Sequence, residues 1–229
     1  MLNAKDQARI AEAVGKAEEG TSGEIVCVLA AEVSHYPEVA LAWAALSALV
    51  LPALALALGL HPLALAATAS GDWTAGQHRT LESDLILALG LYAAIQTALF
   101  VLVFAVMEIP AVRRWATPAM LKRHKVERAA RQQFAAIAAR AQGSDTGVLV
   151  FVALVDRQVQ ILADRALHGK ADDDAWKAAA SAIGESMKAG HDLAAGIVQA
   201  VDICGAVLKA HFPATDGGGN VFSNQPVEI

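Results

Sequence analysis

Two uninterrupted apolar runs constrain this chain more than any other feature. Val39 to Leu60 is 22 residues without a charge, and Leu85 to Met107 is 23, also uncharged. At about 1.5 Å of rise per helical residue, each reaches across a hydrocarbon core about 30 Å thick. They read as two transmembrane helices with a short external loop between them, so that residues 39–107 form a membrane hairpin. Backbone inside lipid must satisfy its own donors and acceptors, and Pro52 therefore predicts a local kink that neighbouring protein covers. Tyr92, Gln96 and Thr97 lie within about one and a half turns of the second run. They read as intramembrane contacts from helix to helix, because neither run carries an acid, a base or a histidine that would mark a transport path.

Composition agrees with that reading. Hydrophobic residues make up 55% of the 229 and charged ones 18%, too oily for a wholly soluble chain. The formal charge is −5, which removes the basic footprint that nucleic-acid binding needs, so no nucleic acid is expected as a partner. Cys27 and Cys204 are the two cysteines, without ligand spacing, and suit free thiols in a reducing compartment. The first 20 residues are charged and amphipathic rather than signal-like, so the N-terminus is expected to stay on the side where it is made. Basic residues resist translocation. Segment 108–131 holds seven, Arg113, Arg114, Lys122, Arg123, Lys125, Arg128 and Arg131, and residues 1–38 hold three, whereas 61–84 holds only Arg79. The expected topology is a multi-pass protein of the bacterial inner (plasma) membrane with both termini cytoplasmic. Within Ile109 to Lys125, Arg113, Arg114, Trp115, Lys122 and Arg123 are candidate membrane-interface residues against anionic lipid.

Without the hairpin, residues 1–38 and 108–229 remain, enough for one domain in two pieces. Asn3 can cap a helix with Ile10, Ala11, Val14 and Ala17 on its apolar face, followed by a strand over 23–30. That strand is almost continuously apolar, which suits burial on both faces. One helix and one strand cannot cover themselves, so their partners must lie beyond the hairpin. A helix over Lys125 to Gln142, strands over 146–154 and 158–163 joined by Val155-Asp156-Arg157, and two closing helices supply them. The first closing helix starts in Asp172-Asp173-Asp174 and is capped by Gly190; the second begins at His191 or Asp192 and stops before Pro213. Residues 214–229 are Gly-rich and read as a flexible tail.

Thr21-Ser22-Gly23-Glu24-Ile25-Val26, then Thr146-Gly147-Val148-Leu149-Val150-Phe151-Val152, then Asp156-Arg157-Gln158-Val159-Gln160-Ile161 and the Asp174-Ala175 helix start together resemble the TPM domain. Their order and spacing resemble the bacterial membrane-anchored branch, in which a transmembrane hairpin is inserted in the domain. The resemblance implies an α/β/α sandwich. It also implies a choice of roles, because relatives are linked to acid phosphatase activity in thylakoids, photosystem II maintenance and ion-channel modulation. LemA-like membrane proteins become a plausible partner on the same ground. One departure stands out: Asp164-Arg165-Ala166-Leu167-His168-Gly169 replaces the family's Gly-Tyr-Gly-Leu-Glu-like turn.

Catalytic motifs are missing. Neither cysteine opens a Cys-to-Arg phosphate loop, and GxxxxGK[ST], HExxH and GxSxG are absent. Asp172, Asp173 and Asp174, with Asp156 or Asp164 approaching from strand ends, can offer oxygen ligands to Ca²⁺ or Mg²⁺ for a metal-assisted phosphatase. Helix-dipole complementarity accounts for the same three aspartates, and Glu24 suits a strand-entry residue paired with a base. His168 and His191 suit surface positions. The leading expectation is a membrane-anchored, non-enzymatic assembly, maintenance or regulatory subunit, without a cofactor, that contacts membrane lipid and other integral membrane proteins.

Overall fold

A strand buried at every position needs cover on both faces and both edges, and β1 (Glu24–Ala30) is such a strand. The computed structural model describes residues 2–59, 81–139, 147–167, 170, 172–189, 192–214 and 222–229. In it β1 pairs in parallel with β2 (Gly147–Ala153), Glu24 opposite Gly147 and Ala30 opposite Ala153. The opening strand is therefore completed by a segment from beyond the apolar runs, as its composition requires. β3 (Gln158–Ala163) returns antiparallel to β2, and the sheet order is β3-β2-β1-β4, with β4 (Val227–Glu228) parallel to β1.

Alternation along the strands divides the core into two. Ile25, Cys27 and Leu29 of β1 and Val148, Val150 and Val152 of β2 point to one face, where α1 (Ala4–Glu18), α6 (Asp173–Ala189) and α7 (Leu193–His211) cover them. Val26, Val28, Leu149 and Phe151 point to the other, against Val126 and Ala130 of α5 (Ala119–Ala138). The result is the expected α/β/α sandwich. Caps set the helix starts: Asn3 Oδ1 accepts from the Asp6 N–H at 2.8 Å, and Asp192 Oδ1 accepts from the Ala195 N–H at 3.2 Å. Within α1 the buried positions are Ile10, Ala13, Val14 and Ala17, so Ala13 takes the place expected for Ala11. Where α1 crosses α7, a Cβ added to Gly205 would lie 2.7 Å from the Ala17 Cβ and 3.0 Å from its Cα. The two helices meet there with only the Ala17 methyl group between their backbones.

Two expectations are corrected. α5 begins at Ala119 rather than Lys125, directly after Pro118, because proline disfavours helix in the residue before it but not after. The end of the chain is not a free tail. Ile229 donates to the Leu29 carbonyl and accepts from the Ala31 N–H, both at 2.9 Å, while Glu228 accepts from the Leu2 N–H at 3.0 Å. Backbone pairing holds this segment where side-chain burial alone would not. The expected cap Gly190, the histidines His168 and His191, Thr146 and the loop around Arg79 lie outside the described residues.

Residues 36–118 form a second compact unit. Its described elements are α2 (Pro37–Ala57), α3 (Leu81–Met107) and α4 (Pro110–Ala116). α2 packs along α3, and its buried Ala40, Ala44, Ala48 and Pro52 recur every four residues as one stripe of small side chains. Pro52 thus lies on the covered side of an otherwise apolar helix. The remaining surface is exposed and greasy: Leu41, Leu49 and Leu54 on α2, and Ile86, Leu89 and Leu102 on α3, are all about half exposed or more. Among the described residues three helices are long and apolar enough to cross a membrane, Pro37–Ala57, Leu85–Met107 and Leu193–His211. The third, α7, uses that character inside the sandwich, where Ile197, Ala200, Val201, Cys204 and Leu208 are fully buried.

Candidate functional site

The acidic residues singled out as metal ligands do not converge. Asp164 ends β3 beside Gly147, whereas Asp156 turns the chain at the opposite end of that strand. Asp172 accepts from the Asp174 N–H at 3.2 Å, closing the first turn of α6, and Asp174 pairs with Lys177 at 2.8 Å. That hydrogen bond holds the Asp174 carboxyl below the usual aspartate range. Asp173 shares the same helix start. Among the described residues no group of three or more His, Cys, Asp or Glu side chains is placed to hold a metal ion. Asp172 and Asp174 thus serve the first turn of α6 and the Lys177 ion pair.

At the end of the sheet where β1 and β2 begin, Glu24, Asp164, Phe134 and Phe222 line a cavity of about 20 Å³. A volume of that size admits one water and no phosphate ester. Glu24 accepts from the Phe222 N–H at 3.4 Å, so the C-terminal segment closes this end. Nearby, the last residue of α1 turns its carboxylate onto β1, where Glu18 Oε1 accepts from the Ile25 N–H at 2.9 Å. Burial pushes the Glu18 carboxyl up to about 7, against the pull of that hydrogen bond and with a smaller push from Glu24.

The sign of the consequence follows. The folded chain holds this proton to a higher pH than the unfolded one, so the stabilisation present below about pH 4.5 is lost as pH rises towards 7. After discounting for partial exposure, roughly 1–2 kcal/mol is at stake. Glu18→Gln keeps the acceptor for Ile25 and removes the charge, and is expected to flatten the fall in melting temperature between pH 5 and 8. Parallel pH profiles for the two proteins would show that Glu18 does not titrate in this window.

The interface candidates fall in both units. In the second, Trp115 is 88% exposed on α4, which buries no residue, and Arg114 is exposed beside it. Arg113 is different: only 11% of its side chain is exposed, and it faces Glu108 at 3.6 Å. In the first, Arg123 is exposed and Lys122 half-buried on α5. Of the intramembrane candidates, Thr97 donates to the Ala93 carbonyl at 2.8 Å within its own helix, which leaves Tyr92 and Gln96, both half-covered, as the side chains with reach to a neighbour.

One surface was not foreseen. A groove of about 830 Å³ runs along β3, walled by Arg123, His124 and Glu127 of α5 on one side and by Trp176 and Lys177 of α6 on the other. It is the size of a ligand cleft, but open and lined by a strand edge. Three separate segments build it, so no local string of sequence announces it.

With this geometry in view, comparison with known families matches residues 114–207 to the TPM domain, a family named TPM phosphatase. A TPM domain lies at residues 114–207. No curated protein matches the chain. Among solved structures, the NMR structure of the BA42 protein from the psychrophilic bacterium Bizionia argentinensis is similar, with a TM-score of 0.54 at 16% identity, covering 100% of this chain and 96% of that one. Likeness at that identity concerns the fold alone. The matched TPM segment contains α5, β2, β3, α6 and most of α7, whereas α1, β1 and β4 fall outside it. In three dimensions the TPM sheet is completed by strands from both flanks.

Proposed function

We propose that this protein is a membrane-anchored TPM-domain subunit that binds other integral membrane proteins, LemA-like ones among the candidates, as a non-enzymatic assembly, maintenance or regulatory factor. One observation carries the reading: exposed leucines line both long helices of the second unit, a surface that water does not tolerate and that lipid or protein must cover. Pairing of β1 with β2 supports an even number of crossings, because residues 30 and 147 have to meet on one side. The excess of arginine and lysine flanking the hairpin supports the cytoplasmic side of a bacterial inner membrane. Arg114 and Trp115 suit contact with anionic headgroups, and Tyr92 and Gln96 suit contact with a neighbouring helix.

Gentle extraction and native mass measurement test this. The expected result is a complex heavier than the chain and its bound lipid, with at least one further membrane subunit. A lone monomer would remove the reading, and phosphatase turnover abolished by Asp174→Asn in a folded protein would replace it with a metal-assisted enzyme.

A further inference from the structure

The groove along β3 has backbone groups to offer. Asp164 donates to the Gly147 carbonyl at 3.0 Å, which makes these two a hydrogen-bonded pair of the antiparallel ladder. Counting back along the register, Leu162, Gln160 and Gln158 also face β2, and the N–H and C=O groups of Val159, Ile161 and Ala163 are directed away from it. β3 is the edge of the sheet among the described residues. Its sequence, Gln-Val-Gln-Ile-Leu-Ala, has no proline, glycine or charge, the devices by which edges are usually protected from pairing. At the opposite edge the chain covers β1 with its own C-terminal residues. The two edges are thus treated differently.

Resting on the reading of this protein as a binder of other proteins, we propose that β3 is the docking edge for an extended, acidic segment of a partner protein, added as a further strand between α5 and α6. Charge selects the occupant. Glu127, the acid on the α5 wall, is engaged by Arg131 at 2.6 Å, and Lys177 on the facing wall is engaged by Asp174 at 2.8 Å, whereas Arg123 has no ion pair among the described residues. Alternating side chains of an added strand would meet Arg123 on the α5 face and the apolar ring of Trp176 on the α6 face. A second copy of the chain is disfavoured as occupant, since edge-to-edge pairing about a twofold axis sets α5 against α5 and Arg123 against Arg123.

The test uses the full chain in lipid nanodiscs and a fluorescently labelled peptide alternating valine and glutamate. Saturable binding is expected, weakened roughly tenfold or more by Arg123→Glu or by replacing the peptide's glutamates with lysine. Methylating the peptide nitrogens that face β3 should abolish it, with no change to the protein at all. Val159→Pro removes one outward N–H and should also abolish it, provided the melting temperature is kept. No binding, equal binding of the methylated peptide, or a dimer formed through β3 that excludes the peptide would overturn the proposal. If partner subunits co-purify equally with the parent protein and with Arg123→Glu while the peptide fails to bind, the edge is wrong and the accessory-subunit reading survives. If the peptide binds as described but the protein extracts alone, the edge stands and that reading does not.

Discussion

Gly205→Leu should cost about 3 kcal/mol or more and open the sandwich at the seam between its first and last helices. Even a methyl group at this position would press on the Ala17 Cβ at 2.7 Å and on its Cα at 3.0 Å, and backbone cannot swing aside as a long side chain can. Folded domains are stable by only about 5–15 kcal/mol, so a loss of this size reaches a large part of the whole. The buried thiols report it. Cys27 and Cys204 are 4% and 0% exposed, and burial pushes both thiols up to about 12, so neither should react in the native protein from either side of a membrane. Rapid labelling of Cys204 in Gly205→Leu, with slow labelling in the parent, is the expected contrast. For the milder Gly205→Ala, adding Ala17→Gly should restore part of the lost stability, because it removes the colliding atom. Unchanged labelling and melting in Gly205→Leu would mean that α1 is not docked where described.

Phe151→Ala should destabilise the domain by about 3–5 kcal/mol. Phe151 sits on the middle strand of the three longest, opposite Val28 on one side and Gln160 on the other, with no exposed surface. Its ring fills the layer under α5 with Val126 and Ala130, and among the described residues this layer has one helix to close over a vacancy. Denaturant unfolding of the nanodisc-held protein, followed by the same thiol labelling, measures it. Trp115→Ala is the control: a larger side chain is removed, but at 88% exposure the fold should not notice. Equal effects from the two substitutions would contradict the placement of the core.

The elements that carry strong periodicity were legible in the sequence, and those made by backbone pairing were not. The bounds of β3, Gln158–Ala163, follow from its sequence, because Val155-Asp156-Arg157 leaves room only for a tight turn. β1 was readable as a strand needing two-sided cover, and its unbroken apolar string also implied a partner beyond residue 107. β4 was not readable, since two residues held by main-chain hydrogen bonds leave no side-chain pattern after a run of glycines. Asp172, Asp173 and Asp174 look like a ligand set when written in a row. Successive residues of a helix start splay apart, and in space they serve the helix and Lys177. The groove along β3 was invisible for the opposite reason: an edge strand and an interior one share the same alternation, and only the strand order tells them apart.

Separation of β1 from β2 along the chain has a cost during synthesis. The 116 residues between Ala30 and Gly147 must leave the ribosome before the first strand can find its neighbour, and at about 5–20 residues per second this delay is roughly 6–23 s. Throughout it a seven-residue ribbon, later covered at every position, lacks the neighbouring strand it pairs with. Both apolar helices of the second unit emerge within the same interval. A nascent chain built this way requires its insertion machinery or a chaperone to shield that ribbon, and shortening the wait by moving the opening helix and strand behind residue 118 should make the domain easier to produce.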